Sequence, residues 1–510
     1  MGLAFRSARR SLWPLLGSSG LSIAAAWAAL PVPATQAQPA LCPAQLNHTL
    51  AAIAEDALGE QARWGAVVQP LGDPDADSLA AHRSQQYFTP ASNVKLLTSA
   101  AALVALGPNF QITTSLYAVP TASRTGLAAD SVDLWVVGRG DPSFDGADLQ
   151  QLAQQARQAE LPPINQLVGD ERYLGDRFIN PTWDWEDVQS GYGAPVNSLI
   201  LDQNAIGVRL YPQAVGEPLR LEWEQPEIGR QWQVVNQSVT VAETEPEFVR
   251  VGRAWESPLL RVQGQLRQGA ALDRSAVAVT EPGQQFLQRL AVALREAGVT
   301  VSNPALLIPP ATGPAPPHLE NSAIATVISP PLSELLVAVN AQSRNLYAEA
   351  LIRHLGRTAI TNPAPANAVL FAAGLAQVKA TLTPLGVTAP YQIADGSGLS
   401  RRSLVTPLAL AQTLQVMAQH PHSAVYRRSL AVAGETGTLR SRFRGTPVAG
   451  RFWGKSGGLT GVSSLSGYLD PPSYPPLVVS VMIDHSDLSG SMRRQTIDAM
   501  VAAIARLTSC

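Results

Sequence analysis

Apolar positions change their spacing twice along the chain. The N-terminal part contains FTPASNVKLLTSAAAL (88–103), whose apolar run predicts a buried helix. Between about 110 and 320, apolar and polar positions alternate in segments such as LRLEWEQPE, which predicts antiparallel strands with little helix apart from one near 283–298. After the proline-rich segment LIPPATGPAPPHLE the pattern predicts several helices, then two adjacent antiparallel strands and a closing helix.

This order predicts an α/β (α+β) protein in which one helix-plus-sheet unit is divided by an insertion. We expect residues 38–110 and 321–510 to form the divided unit. Residues 111–320 are expected to form a β-rich inserted region of two domains, with one nested near 135–195.

The N-terminal residues 1–37 have the layout of a secretory signal peptide. Arg6, Arg9 and Arg10 precede an apolar stretch that ends in small residues. An uncleaved membrane anchor is the alternative, but glycines and serines dilute the apolar run below what a spanning helix requires. We therefore expect an exported protein, periplasmic or extracytoplasmic, without a stable membrane span.

Charge and cysteine content limit the class of protein further. The 37 Lys and Arg against 39 Asp and Glu give a formal net charge of -2, which is not the charge of a nucleic-acid-binding protein. Hydrophobic residues make up 46% of the chain, enough for packed cores. The two cysteines, Cys42 and Cys510, could form a disulfide in an oxidising compartment or remain two unpaired thiols.

Lysine is rare in this chain and therefore informative. Only Lys95, Lys379 and Lys455 occur, and Lys95 follows Ser92 by three positions near a predicted helix start. That spacing places both side chains on one helix face. Burial would lower the pKa of the amine, so that neutral Lys95 could take a proton from Ser92. Arginine cannot act as such a base near neutral pH.

Two further motifs follow in the C-terminal part. Ser343 and Asn345 lie two apart at the start of a helical segment, an arrangement that alone is typical of a cap or turn. Lys455 and Ser456 lie in WGKSGGLTG on a predicted strand, where glycines allow a peptide backbone to approach and the lysine and hydroxyl can bind a carboxylate.

The order Ser-x-x-Lys, Ser-x-Asn, Lys-Ser-Gly resembles the penicillin-binding proteins and serine β-lactamases. The long gap between the first two motifs is similar to the D-alanyl-D-alanine carboxypeptidase/endopeptidase family, the class C low-molecular-mass penicillin-binding proteins, which have extra domains there. The segments WDWEDVQSGYGAPVNSLILDQN, DGSGLSRRSLVTP and GTLRSRFRGTPVAGRFWGKSGGLTGVSSLSGYL also match. The resemblance implies a transpeptidase-like domain, an antiparallel sheet with helices on both faces, split by the insertion.

The resemblance also implies residue roles. Ser92 would be the acylated nucleophile and Lys95 its base. The remaining motif residues would relay the proton to the leaving amine (Ser343 with Lys455), bind the substrate amide (Asn345) and bind the terminal carboxylate (Ser456). The oxyanion hole would use the N–H groups of Ser92 and Gly458.

The inserted region would bind the far end of the substrate. The match WEDVQSGYGAP suggests Asp187 and Tyr192 for that role, and SGLSR adds Arg401 as a possible carboxylate-binding residue. An ordinary loop acid and a packing aromatic are the alternative interpretation of Asp187 and Tyr192. The chain departs from many relatives in having Ser456 in place of threonine, which offers the same hydroxyl, and in the large Arg344 within the second motif.

The function implied is that of a serine D-Ala-D-Ala carboxypeptidase/endopeptidase. It would act on peptidoglycan stem peptides without a cofactor or metal, and β-lactam antibiotics would acylate Ser92. Three alternatives are a serine β-lactamase, an inactive peptidoglycan-binding protein, and an α/β-hydrolase with Ser456 in a Gly-x-Ser-x-Gly elbow. The elbow requires a helix after the serine, whereas LTGVSSLSGYL alternates like a strand.

Overall fold

The computed structural model describes residues 40–59, 61–73, 77–120, 131–174, 179–254, 257–307, 323–360 and 370–510 of the chain, with the backbone alone over 302–307. The predicted signal peptide, residues 1–37, lies outside the described residues.

Strands occur throughout the described part of the chain. In chain order they are β1 Arg63–Pro70, β2 Ala80–His82, β3 Thr113–Pro120, β4 Val132–Val137, β5 Ile164–Asp170, β6 Ala205–Tyr211, β7 Arg220–Trp223, β8 Gln233–Val241, β9 Phe248–Arg253, β10 Leu259–Arg267, β11 Asp273–Ala278, β12 Val301–Leu307, β13 Ala323–Ile328, β14 Tyr391–Gln392, β15 Leu404–Val405, β16 Ala431–Val432, β17 Phe452–Leu459, β18 Val462–Leu469 and β19 Leu477–Asp484.

Helices concentrate in the N-terminal and C-terminal parts. They are α1 Leu46–Leu58, α2 Val94–Leu106, α3 Gly146–Gln158, α4 Pro226–Gly229, α5 Pro282–Glu296, α6 Leu332–Asn340, α7 Asn345–Ala359, α8 Leu370–Leu382, α9 Pro407–Gln419, α10 Ser423–Arg428 and α11 Gly490–Ile504. None of the helices in these ranges combines the length and apolar character that crossing a membrane requires.

One six-stranded antiparallel sheet is built from both ends of the chain. Its strand order is β16-β17-β18-β19-β1-β2, so that β1 from the N-terminal part pairs with β19 from the C-terminal part. Because side chains alternate across a strand, neighbouring residues enter different cores. Val478 packs with α2 and α9 on one face, whereas Val479 packs with α1 and α11 on the other.

Helix α2 runs through the middle of the first core. Its residues from Val94 to Leu103 are all buried, and it contacts α6, α7, α8 and α9. A helix that is apolar on every side must be covered by other elements on all of its faces. Lys95 is therefore fixed inside the protein by the packing of the helix that contains it.

The region between the two halves of this unit forms separate sheets. A five-stranded sheet has the order β12-β5-β4-β3-β13 and packs against α3 and α5. Strands β6 to β11 form two three-stranded sheets that share one core. These lie between β5 and β12 in sequence, so the nested segment is 205–278. Within the region where a nested domain is expected, near 135–195, strands β4 and β5 belong to the five-stranded sheet.

Three local predictions also differ from the structure. Helix α3 lies where little helix was expected; its buried Leu149, Leu152, Ala153 and Ala156 have helical spacing, but glutamines surround them. The pairs β4–β5, β5–β12 and β8–β10 are parallel. Where two adjacent C-terminal strands were expected, the structure has three, β17 to β19, because Gly461 adopts a left-handed turn conformation (φ 77°) between β17 and β18.

The two ends of the described chain are joined covalently. Cys42 and Cys510 form a disulfide, which excludes the alternative of two unpaired thiols. A parallel backbone bridge between Leu41 and Leu507 lies next to it, and α1 packs against α11. The N-terminal and C-terminal segments therefore meet on the same face of the six-stranded sheet.

Candidate active site

Ser92 lies in a short 3-10 turn, Ala91–Asn93, directly before α2. Two glycines enclose this turn. A Cβ on Gly398 would lie 1.8 Å from the Ala91 carbonyl oxygen, and one on Gly457 would lie 2.9 Å from the Ser92 nitrogen. Ala91 itself has a positive φ of 47°, a strained conformation for a residue with a side chain. The close packing from both sides holds Ser92 in place at the start of the helix.

Lys95 is completely buried, and its amine makes three hydrogen bonds. Nζ donates to Ser92 Oγ at 3.0 Å, to Asn345 Oδ1 at 2.7 Å and to the Ser397 carbonyl at 2.6 Å. Burial lowers the pKa of Lys95 to about 7, although the nearby carboxylates of Asp395 and Glu349 act in the opposite direction. A large fraction of this amine is therefore neutral near pH 7, which is the form that can accept a proton from Ser92.

Ser343 and Asn345 lie at the start of α7 and face both lysines. Ser343 has a left-handed backbone (φ 62°), and its hydroxyl accepts a hydrogen bond from Lys455 Nζ at 2.9 Å. The Asn345 side chain accepts from Lys95 and donates to the Tyr192 carbonyl at 2.9 Å. The second motif thus connects the two lysines to each other and to the inserted region.

Lys455 is also completely buried, at the free edge of the six-stranded sheet. Burial, and secondarily the charge of Lys95, lowers the pKa of Lys455 well below its usual value. Ser456 donates a hydrogen bond to Thr438 Oγ1 at 2.8 Å, which places two hydroxyl groups together. Such a pair beside an amine is suited to bind a carboxylate.

The edge of β17 is available to an extended peptide. Its neighbour β16 pairs only with Trp453 and Gly454, so no strand of the described chain covers the edge beyond them. Gly458 is exposed on this strand, and a side chain there would meet open space. The predicted oxyanion role of Gly458 stays a prediction; the structure places it next to Gly457, which contacts the Ser92 turn.

A buried carboxylate organises the loop behind Lys95. Asp395 accepts hydrogen bonds from the backbone of Gly398 and Ser400, from the hydroxyls of Ser397 and Ser403, and from Trp183 Nε1. All five donor–acceptor distances lie between 2.8 and 3.1 Å. This one side chain therefore links the inserted segment around Trp183 to the loop whose Ser397 carbonyl holds Lys95.

Glu349 supports the same loop from α7. Its Oε1 accepts from the backbone N–H groups of Gly396 and Ser397, both at 2.9 Å. Burial and the nearby Asp395 raise the pKa of Glu349 to about 7, against the opposing effect of Arg353. Carboxylates in this position affect the proton affinity of Lys95 without contacting Ser92.

The predicted substrate-binding residues of the inserted region form a second, exposed cluster. Tyr192 donates to Asp187 Oδ1 at 2.9 Å, and Arg401 donates to Asp184 Oδ2 at 3.0 Å and to the Thr460 carbonyl at 3.1 Å. Thr460 follows β17 directly. The structure thus brings Asp187, Tyr192 and Arg401 to the far end of the strand that contains Lys455.

Sequence reasoning missed the residues that support the motifs. The supporting residues that the motifs do not indicate are Thr438, Ser397, Asp395, Glu349 and Trp183. Three of them lie within segments that match the family, DGSG and WDWED, and Thr438 lies within GTLRSRFRG. Glu349 had no signal beyond being an acid in an apolar helix.

The chain matches one family model over most of its length. Residues 46–507 match the D-Ala-D-Ala carboxypeptidase 3 (S13) family. This range includes every motif residue described above.

Two curated relatives cover similar extents. A D-alanyl-D-alanine carboxypeptidase of Actinomadura sp. (strain R39) is 32% identical over 463 residues, which are 87% of this chain and 83% of the relative. A penicillin-sensitive carboxypeptidase A of Dictyostelium discoideum is 28% identical over 447 residues, 84% of this chain and 82% of the relative.

A solved structure shares the fold. Penicillin binding protein 4 (dacB) from Haemophilus influenzae superposes with a TM-score of 0.72 at 22% identity, over 89% of this chain and 98% of that one. The predicted fold class, a penicillin-binding-protein-like domain with extra inserted domains, is thereby confirmed.

Proposed function

The chain belongs to the D-Ala-D-Ala carboxypeptidase 3 (S13) family, which makes it a serine D-Ala-D-Ala carboxypeptidase/endopeptidase of peptidoglycan, and we propose which of its residues perform the reaction. The proposal assigns the chemistry to Ser92, Lys95, Ser343, Asn345, Lys455 and Ser456. It rests chiefly on one observation, the hydrogen bond between a fully buried Lys95 and Ser92.

Acylation begins with neutral Lys95. Its Nζ takes the Ser92 hydroxyl proton as Oγ bonds to the carbonyl carbon before the terminal D-alanine. The C–N bond then breaks, and the departing amine takes a proton through Ser343, whose hydroxyl is held by Lys455. The products of this step are free D-alanine and an ester on Ser92.

Binding groups hold the substrate during this step. The extended peptide lies along the free edge of β17, with its amide on Asn345 and its terminal carboxylate on Ser456, assisted by Thr438 and the charge of Lys455. The N–H groups of Ser92 and Gly458 stabilise the oxyanion. Asp187, Tyr192 and Arg401 bind the far end of the stem peptide.

Water completes the cycle. It attacks the ester carbonyl, the C–Oγ bond breaks, and Ser92 recovers its proton, leaving the shortened peptide with a new carboxyl group. Penicillins acylate the same serine because their strained amide presents an equivalent carbonyl. Their ester persists longer when water reaches it poorly.

A labelled penicillin tests the assignment of the nucleophile. Peptide mapping should place the adduct on Ser92, and Ser92→Ala should give none while Ser456→Ala still gives some. An adduct on Ser456 would support the α/β-hydrolase alternative and end this proposal. Rapid penicillin turnover without release of D-alanine from a stem peptide would favour the β-lactamase alternative.

We also propose that the protein is exported to an extracytoplasmic compartment after removal of residues 1–37. The Cys42–Cys510 disulfide supports an oxidising location. N-terminal sequencing of the mature protein from the extracytoplasmic fraction should begin after the small residues that precede Cys42. Recovery of the protein only from the cytoplasm would contradict export.

A further inference from the structure

A cleft of about 830 Å³ opens beside Ser343 and extends away from it into the inserted region. One wall is the start of α7, with Ser343, Arg344 and Asn345. The opposite wall includes Gln203, in the turn just before β6, and Glu224 and Arg274 of the nested segment. The roles proposed above for the motif residues leave this space unused, although two motif residues line it.

The cleft offers polar groups suited to a peptide. Arg344 is exposed and, among the described residues, the guanidinium has no ion pair; the Arg274 side chain is 65% exposed while touching Glu224. These two cations can bind carboxylates, whereas Glu224 already pairs with Arg209 and Arg274. A peptide with free carboxylates matches these two cations better than a neutral ligand does.

Gln203 is held rigidly at the wall. It lies between Asp202 and Asn204, and all three residues have positive φ values, from 50° to 57°. Asn204 fixes this turn by donating to the Pro195 carbonyl and to Asn197 Oδ1, both at 2.8 Å. Gln203 lines the cleft, and its amide, which has no hydrogen-bond partner in the described chain, can act as donor and acceptor for peptide groups.

The position beside Ser343 indicates which peptide this is. In the function proposed above, on which this inference rests, Ser343 delivers the proton to the leaving amine. When a free stem peptide is cut, that amine belongs to D-alanine alone and needs no further space. When a cross-link is cut, the amine belongs to the diamino acid of a second stem peptide, which must extend beyond Ser343.

We propose that the cleft between the start of α7 and the nested sheets binds this second stem peptide, the one released when a cross-linked dimer is cleaved. The bond broken is the amide between the D-alanine carbonyl of the first stem and the side-chain amine of the second. The acyl group passes to Ser92 and then to water, and the amine leaves with its proton into the cleft.

Two substrates for the full-length enzyme test the assignment. One is a free pentapeptide stem, cut with release of D-alanine; the other is a purified dimer of two such stems joined by a cross-link and lacking sugars. Removing one exposed cation, in Arg344→Ala or Arg274→Ala, should lower kcat/KM for the dimer by about fivefold. Release of D-alanine should stay within about twofold of wild type, because D-alanine does not reach the cleft.

Arg295→Ala is the matched control, since Arg295 is exposed in the last turn of α5 and does not line the cleft. Arg274→Ala guards against a local effect on the second motif, because Arg274 lies on β11, outside α7. Equal losses on both substrates, or an unchanged dimer rate in both variants, would overturn the proposal. A loss confined to dimers that carry their disaccharides would assign the cleft to glycan and also overturn it.

The same assays separate this inference from the function beneath it. If the wild-type enzyme fails to release D-alanine from the pentapeptide and gives no penicillin adduct on Ser92, the proposed function fails. If both are present and the cleft variants are not selective for the dimer, only the assignment of the cleft fails.

Discussion

The proposed reaction centre, defined here as Ser92, Lys95 and Lys455, and the proposed rim, defined as Asp187, Tyr192 and Arg401, differ strongly in their exposure to water. Both lysines of the reaction centre are 0% exposed, whereas Tyr192 is 53% exposed and the Arg401 side chain 42%. Burial lowers the pKa of both lysines, while the rim residues pair in solvent.

This difference separates chemistry from recognition. A proton transfer near neutral pH needs an amine whose pKa is lowered by burial, and the packing of α2 buries Lys95. Exposed ion pairs contribute little free energy each because water screens them. We therefore expect changes in the reaction centre to abolish activity and changes at the rim to alter only which substrates react well.

The largest effect should come from removing the buried amine. Lys95→Met should lower the rate of penicillin acylation by about a thousandfold, because within the described part of the chain no other base contacts Ser92 in this way. Lys379→Met is the matched control, since Lys379 is exposed near the end of α8. Circular dichroism should show both variants folded; a folded Lys95→Met enzyme with near wild-type acylation would remove Lys95 from its proposed role.

The second largest effect should come from changing Asp395, which links the Ser397 loop to the inserted segment around Trp183. Asp395→Asn replaces a carboxylate that accepts five hydrogen bonds with a group that can accept at only one atom, so the Ser397 loop that holds Lys95 should shift. We expect about a hundredfold slower acylation and a lower melting temperature. The exposed Asp487→Asn should change neither.

An Asp395→Asn enzyme that melts lower but acylates at the wild-type rate would show that Asp395 stabilises the fold without positioning Lys95. Comparing acylation rates at a temperature well below both melting points distinguishes the two results.

The pH dependence should report the buried amine directly. Because the pKa of Lys95 is about 7 and the neutral form is the base, acylation should rise with pH through neutrality and level off above it. Well below the pKa, the rate should increase about tenfold per pH unit.

Glu349→Gln sharpens this test. The charge of Glu349 raises the pKa of Lys95, so its removal should lower that pKa and move the rising limb to lower pH, while the amide oxygen can still accept from Gly396 and Ser397. Glu334→Gln, on the exposed side of α6, should leave the profile unchanged. A shift toward higher pH in Glu349→Gln would contradict the proposed coupling.

The smallest effect should come from the rim. Asp187→Ala should lower D-alanine release about fivefold from stem peptides whose diamino acid has a free side-chain ammonium. Peptides that lack this group should react equally with both enzymes, and the exposed Glu245→Ala should be neutral with either substrate. An Asp187→Ala enzyme indifferent to the ammonium group would remove Asp187 from the substrate-binding residues.

The Ser92–Lys95 pair was predictable because its spacing is local. Ser92 and Lys95 are three residues apart at one helix start, so a single turn of helix brings them together whatever surrounds it. The family and its fold were also correct from sequence, since three motifs occur in one order along the chain.

The supporting residues were not predictable in the same way. The hydrogen bond from Trp183 to Asp395 joins positions 212 apart, and only the packed tertiary structure decides which buried acid meets which donor. The parallel pairing of β4 with β5 depends likewise on α3, the helix that connects them. The sequence did not indicate α3, because the segments around it show the alternating pattern of strands.

The pairing of β1 with β19 has a consequence for the order of events during synthesis. Arg63 and Asp484, which lie opposite each other in these strands, are separated by 421 positions, and the sheets of the inserted region lie wholly between them. The inserted sheets can form while the last strands are still being made, whereas the six-stranded sheet cannot. Lys455 therefore cannot take its place beside Ser92 until almost the whole chain exists, and in an incomplete chain the proposed nucleophile lacks the site in which it would act.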